Sequence, residues 1–185
     1  MRLFIAVILS ARTRDAIQSA IDEFPVKNPP WRWVSPDNWH LTLKFLGATE
    51  PARVSALMQE LDGVAREHRA FEMTMGALGG FPNLRNPRVL FYQIEQGARE
   101  LEVLAADVDA AVEKALGLER EKRRFHAHVT VARVKEALSP EVSARFARVP
   151  ALTEAVTRVD SFELMESRLA RTGATYSVVK EFALS

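Results

Sequence analysis

Hydrophobic and polar residues change period several times along the chain, and each change marks an element. Leu3 to Leu9 is an apolar run between Arg2 and Ser10, which predicts a buried strand over residues 2–9. Ile17, Ile21 and Phe24 recur at spacings of four and three and predict a helix over 11–24. Pro25, Pro29 and Pro30 then break the chain into a loop. Trp39 to Leu46 predicts a strand ended by Gly47. Val54, Leu57, Leu61 and Val64 form one stripe of a helix over 50–68, with Pro51 in its first turn, where a missing N–H costs little. Phe71 to Leu78 and Arg88 to Glu95 predict strands separated by a loop at Gly79-Gly80-Phe81-Pro82-Asn83. Leu101, Leu104, Val108 and Val112 mark a second long helix that ends near Gly117. Phe125 to Val134 predicts a strand, and Ser139 to Phe146 a short helix opened by Pro140. Ala155 to Ser167 and Thr175 to Leu184 predict two strands joined through Thr172-Gly173 as an antiparallel hairpin.

Strands and helices alternate irregularly, which favours α+β with largely antiparallel sheets over a doubly wound parallel sheet. No low-complexity linker divides the chain, so one domain over residues 1–185 is expected. A strand–motif–helix order around position 40 recurs around position 128, half the chain later. Two similar lobes facing one groove would explain it.

The two motifs are His40-Leu41-Thr42-Leu43 and His128-Val129-Thr130-Val131. Side chains alternate across a strand, so each motif puts an imidazole and a hydroxyl on one face and two apolar residues on the other. The chain has four histidines, His40, His68, His126 and His128, and two of them hold equivalent places in equivalent motifs. Packing is indifferent to an imidazole and does not account for the repetition. Chemistry does. Imidazole has an unperturbed pKa of about 6.5, so near neutrality one ring can be neutral and the other protonated. A neutral histidine can deprotonate an attacking water while a protonated one donates to a departing oxygen on the far side of a phosphorus. Thr42 and Thr130 could donate hydrogen bonds to the non-bridging phosphate oxygens without a metal.

Composition narrows the alternatives. The chain has no cysteine, which excludes disulfides, thiolate catalysis and cysteine-ligated zinc, and a cytoplasmic location is the default. No apolar run approaches the roughly 20 residues of a membrane span, and the first residues read as a strand and not as a signal segment. A net charge of +1 is too small to argue nucleic-acid binding by itself. A local basic cluster, Lys122, Arg123 and Arg124, lies just before the second motif.

His-Leu-Thr-Leu-Lys-Phe-Leu-Gly at 40–47 and Phe-His-Ala-His-Val-Thr-Val-Ala-Arg at 125–133 resemble the signatures of the two-histidine phosphoesterases, and most nearly the bacterial RNA 2′,3′-cyclic phosphodiesterases, also named 2′-5′ RNA ligases. Met-Arg-Leu-Phe-Ile-Ala at the start, and Glu166-Ser167-Arg168-Leu169 before the final hairpin, agree with it. The resemblance spans the chain. It implies a bilobal α+β fold, two mostly antiparallel sheets with flanking helices around a central groove, related by a pseudo-two-fold. It implies no cofactor, no metal, no membrane and no obligate protein partner, and a monomer is expected. It implies hydrolysis of an RNA 2′,3′-cyclic phosphate end, or of a cyclic nucleotide, to a 2′-phosphomonoester. His40 would be the proton donor to the leaving 3′ oxygen and His128 the acceptor from water. The same site could run 2′-5′ ligation weakly in reverse.

Ala127 replaces the proline the family commonly has before the second histidine, so a more flexible approach to that strand is expected. Arg133 aligns with a family arginine near the phosphate, yet alternation places it opposite His128 unless a bulge brings it round. Phe125 is a candidate for stacking on a terminal base, or for the core. Alternation puts Phe45 with Leu41 and Leu43, which favours the core over base stacking, and Lys44 on the groove rim. Trp31, Trp33 and Trp39 read as packing. Two rivals stand beside this reading. One is a zinc hydrolase ligated by His40, His126 and His128. The other is a non-catalytic module that binds nucleotides or RNA ends.

Overall fold

β1 (Arg2–Ile8) carries the first apolar run, with Leu3, Ile5 and Val7 on one face and Phe4 and Ala6 on the other, all buried. This computed structural model describes residues 1–24, 29–170 and 173–185. After β1 come α1 (Ala11–Asp22), β2 (Trp31–Trp33), a 3-10 turn at Pro36–Asn38, β3 (His40–Ala48) and α2 (Pro51–Glu67). They are followed by β4 (Phe71–Phe81), β5 (Val89–Ile94), α3 (Ala98–Leu116), β6 (His128–Val134) and α4 (Pro140–Phe146). β7 (Leu152–Val159), β8 (Ser161–Ala170) and β9 (Gly173–Ala183) complete the chain. Pro25 and Thr172 of the expected loop and turn lie outside the described residues.

The strands run in the order β7-β4-β5-β6-β3-β1-β8-β9, with β2 beside β6, and every pairing among the described residues is antiparallel. The class is α+β, as expected. The two expected sheets are fused into one where Leu41 of β3 lies opposite Val129 of β6. One residue, Asp160, separates β7 at one edge from β8 near the other, so the sheet has to curl. Helices bind the halves across this seam. Ser10 caps α1 by accepting from the Thr13 amide at 3.2 Å, and its hydroxyl donates to the Val156 carbonyl of β7. One continuous core lies between the helices and one face of the sheet.

Three elements differ from expectation. β2 has three residues, too few for a period to show. β4 runs on through Gly79, Gly80 and Phe81, where the glycines suggest a loop. A Cβ at Gly79 would lie 2.8 Å from the Phe91 ring on β5, so glycine here leaves room for an aromatic neighbour. The predicted strand over 155–167 is split between β7, which pairs with β4, and β8, which pairs with β1. Glu166 to Leu169 therefore lie inside the final hairpin and not before it.

Two bulges matter more. Opposite β1, the register passes from Ala6↔Thr42 to Ile5↔Lys44, leaving Leu43 as the extra residue. Opposite β5, it passes from Phe91↔Thr130 to Leu90↔Ala132, leaving Val131. Both bulges fall one residue after the motif threonine, and each resets the alternation. Lys44 therefore faces the helices, where its ammonium lies 2.6 Å from Asp109 of α3, and Phe45 faces away from the core. Both placements reverse the sequence expectation, because alternation counted along one strand ignores its partner.

The Lys44 and Asp109 side chains are only 12% and 14% exposed, and the second Asp109 oxygen accepts from the Glu121 amide at 2.9 Å. Asp109→Ala strands a largely buried ammonium and is expected to cost roughly 3 kcal/mol in urea denaturation. The Lys44→Met/Asp109→Leu pair should recover most of that loss.

Candidate active site

His40 is the first residue of β3 and His128 the first of β6. Leu41 and Val129 are fully buried, so the residues on either side of them must face away from the core. There an open groove of about 980 Å³ is lined by His40, Thr42, His128 and Thr130 together. Antiparallel pairing at Leu41↔Val129 carries each motif across to the other in reverse. The register brings His40 toward Thr130 and Thr42 toward His128, around a local two-fold axis.

The two imidazoles are held alike. His40 Nδ1 lies 2.7 Å from the Asn38 carbonyl, and His128 Nδ1 lies 2.6 Å from the His126 carbonyl. A carbonyl oxygen only accepts, so each Nδ1 carries the hydrogen and donates it. Each Nε2 is left to gain or lose a proton. Both acceptors sit two residues upstream, on segments that are themselves secured. Asn38 donates its side-chain amide to the Ala174 carbonyl of β9 at 3.0 Å and its backbone amide to the Ser35 carbonyl at 2.8 Å. The Ala127 carbonyl, next to that of His126, accepts from the Ile94 amide at 3.3 Å, which ties the approach to β6 despite the missing proline.

Their surroundings differ. Phe4 and Tyr176 pack on His40, with ring centroids 4.9 and 5.2 Å away. Burial holds the His40 pKa below its usual value; the Asn38 carbonyl pulls it up, and a charge on His128 pushes it down again. His128 meets Phe91 at 5.2 Å and His126 at 6.2 Å. Phe4, Ala6 and Met165 form a small apolar floor on this face, joined by Ile8 and Tyr176. Arg2, Arg32 and Arg133 add cations to the walls.

Thr42 and Thr130 stand where the motifs put them. Arg133 also lines the groove, turned there by the bulge at Val131. Phe125 does not: it is half-buried against the main core, and its place as a candidate stacking surface passes to Phe45, which is 72% exposed along the groove. Trp31 and Trp39 are buried, while Trp33 reaches the groove wall. The basic cluster is partly neutralised, Arg124 by Glu102 at 3.0 Å and Lys122 by Glu119 at 3.8 Å. Among the described residues no three histidine, aspartate or glutamate side chains converge as a metal site, so the three-histidine zinc arrangement does not form. Among them, too, no helix is long and apolar enough to cross a membrane. Among the site residues that escape sequence reasoning are Asn38 and Tyr176. Asn38 acts on His40 through a backbone carbonyl, and Tyr176 arrives from a distant hairpin; neither leaves a sequence signal.

The chain is similar to known proteins over its full length. The model of the LigT-like phosphoesterase family matches residues 8–91 and 94–176, one match in each half of the chain. A Thermus thermophilus protein named RNA 2′,3′-cyclic phosphodiesterase is 33% identical over 190 aligned residues, covering 100% of this chain and 90% of the relative. A crystal structure of a Thermus thermophilus protein superposes with a TM-score of 0.82 at 31% identity, covering 100% of this chain and 98% of that one. Escherichia coli LigT complexed with 3′-AMP gives 0.79 at 31% identity, with 100% and 98% covered.

The lowered His40 pKa has a definite sign. The folded protein takes up this proton less readily than the unfolded chain, so His40 costs stability at acid pH. That cost is complete below the folded pKa and disappears as pH rises past about 6.5. NMR titration of the ring protons should find His40 titrating below 6.5 in the free protein and moving upward when inorganic phosphate is added. A midpoint at or above 6.5 without phosphate would contradict the burial described.

Proposed function

Because the chain belongs to the LigT-like phosphoesterase family, we propose that it hydrolyses an RNA 3′-terminal 2′,3′-cyclic phosphate to a 2′-phosphomonoester. The observation that carries this reading is the matched pair of imidazoles. Both are anchored through Nδ1 to a carbonyl two residues upstream, and both open onto one groove with two threonine hydroxyls.

The cyclic phosphate lies between the motifs. Thr42 and Thr130 donate to its non-bridging oxygens, where negative charge grows as water adds. His128 Nε2 takes the water proton, the water oxygen bonds to phosphorus, the bond from phosphorus to O3′ breaks, and His40 Nε2 gives its proton to O3′. His40 must be charged to do so, although burial disfavours that form in the free protein. The entering phosphate anion supplies the opposite charge and restores the proton. Phe45 offers a ring face to the terminal base, and Arg133 draws the polyanion in. The relatives named for this activity, and the E. coli LigT crystallised with 3′-AMP, fit a groove shaped for a nucleotide phosphate. A ribose hydroxyl in place of water would run weak 2′-5′ ligation in the same site.

Incubating an RNA that ends in a 2′,3′-cyclic phosphate should yield a 2′-phosphate, with rate falling at both acid and alkaline pH. His40→Ala and His128→Ala should each lose about 10²- to 10⁴-fold, and a chelator should change nothing. A 3′-phosphate product would reverse the assignment of the leaving oxygen. Inactivation by chelator with recovery on zinc would favour the metal enzyme. No turnover at all, with normal binding by both variants, would leave only a binding module.

A further inference from the structure

The wall of the groove beyond the two motifs pairs Arg133 with a residue that the proposed hydrolysis leaves without a role. β2 flanks β6 past the point where β3 leaves it, pairing Trp31 with Val134, Arg32 with Arg133 and Trp33 with Ala132. Trp31 is 3% exposed, and both tryptophans meet the Phe146 ring of α4 edge-on, at 5.2 and 6.2 Å. With the Trp31 side chain held on the helix face, alternation sends Arg32 to the groove face, where it lines the groove.

Residues directly opposite in an antiparallel pair share a face, with Cβ atoms roughly 5 Å apart. Arg32 and Arg133 are such a pair; both are exposed, and both line the groove. Arginine keeps its charge throughout the working pH range, so the pair presents two permanent cations on one face. Two guanidinium forks side by side match the oxygens of a phosphate. β6 places Arg133 three residues past Thr130, about 10 Å of extended strand less what the bulge removes. That offset suits a second phosphate one nucleotide away from the first.

We propose that Arg32 and Arg133 form a subsite for the phosphodiester that precedes the terminal nucleotide, so that the groove selects RNA ends over cyclic mononucleotides. This rests on the hydrolase reading above and extends it to how the substrate is chosen. Every RNA 3′ end carries that phosphate, and a cyclic mononucleotide lacks it.

The test uses one dinucleotide ending in a 2′,3′-cyclic phosphate, made with either an ordinary phosphodiester or an uncharged methylphosphonate between its two nucleosides. Bases and reacting group are then constant. The wild-type protein should prefer the charged linkage by about tenfold or more in kcat/KM, mainly through KM, and the preference should shrink as salt is raised. Arg32→Gln and Arg133→Gln should each bring the ratio toward one, and Arg32→Lys should restore part of it, supplying a charge without the fork. A wild-type ratio near one, a ratio indifferent to salt, or an Arg32→Gln variant slowed equally on both linkages would overturn the subsite. Failure of the hydrolase reading looks different: the wild type would turn over neither linkage, and the subsite would fall with it.

Discussion

The pairing of Leu41 with Val129 is the joint on which the rest of the molecule depends. Both residues are fully buried, and among the described residues they are the only register partners that link β3 to β6. Because each is the second residue of its motif, an antiparallel pairing at this point sets one motif against the reverse of the other. The polar members of both motifs must then face the same groove. A slip of one residue would turn one histidine–threonine set into the core and leave its apolar partners in water. Apolar burial on the far face brings the polar face together.

From that joint the site is built outward by backbone. Each histidine is oriented by a carbonyl two positions before it, and the segments bearing those carbonyls are secured by hydrogen bonds to β9 and β5. Each motif ends in a bulge that carries the fifth residue past the histidine, Phe45 or Arg133, onto the groove face. The repetition therefore extends further than the tetrapeptides. It includes the irregularity that follows them, and the Lys44–Asp109 pair lies on the far side of one such irregularity.

The motifs are legible in the sequence because a strand of period two states which residues share a face, and the helices because their apolar stripes are long. Register is not legible. A bulge is a property of two strands, so nothing within residues 40–47 distinguishes the face of Phe45 from that of Leu43. The same limit leaves Arg133 conditional on a bulge. Gly79 reads as a loop residue because its reason for being glycine, the Phe91 ring, lies on another strand. β2 is too short to show a period, yet it positions Arg32. Asn38 contributes to His40 through a carbonyl, a group every residue has, so no side-chain chemistry announces it.

The near-symmetry of the two motifs has a consequence for regiochemistry. A ring of two imidazoles and two hydroxyls related by a dyad presents the same aspect from either direction, so it cannot by itself decide which ribose oxygen is expelled. The choice has to come from whatever breaks the symmetry. Here that is the phenyl ring at one end of the dyad against the guanidinium at the other, together with the deeper burial of one imidazole. On the proposed reaction, the parts that duplicate would supply the reactivity, and those that diverged would determine which isomer is made.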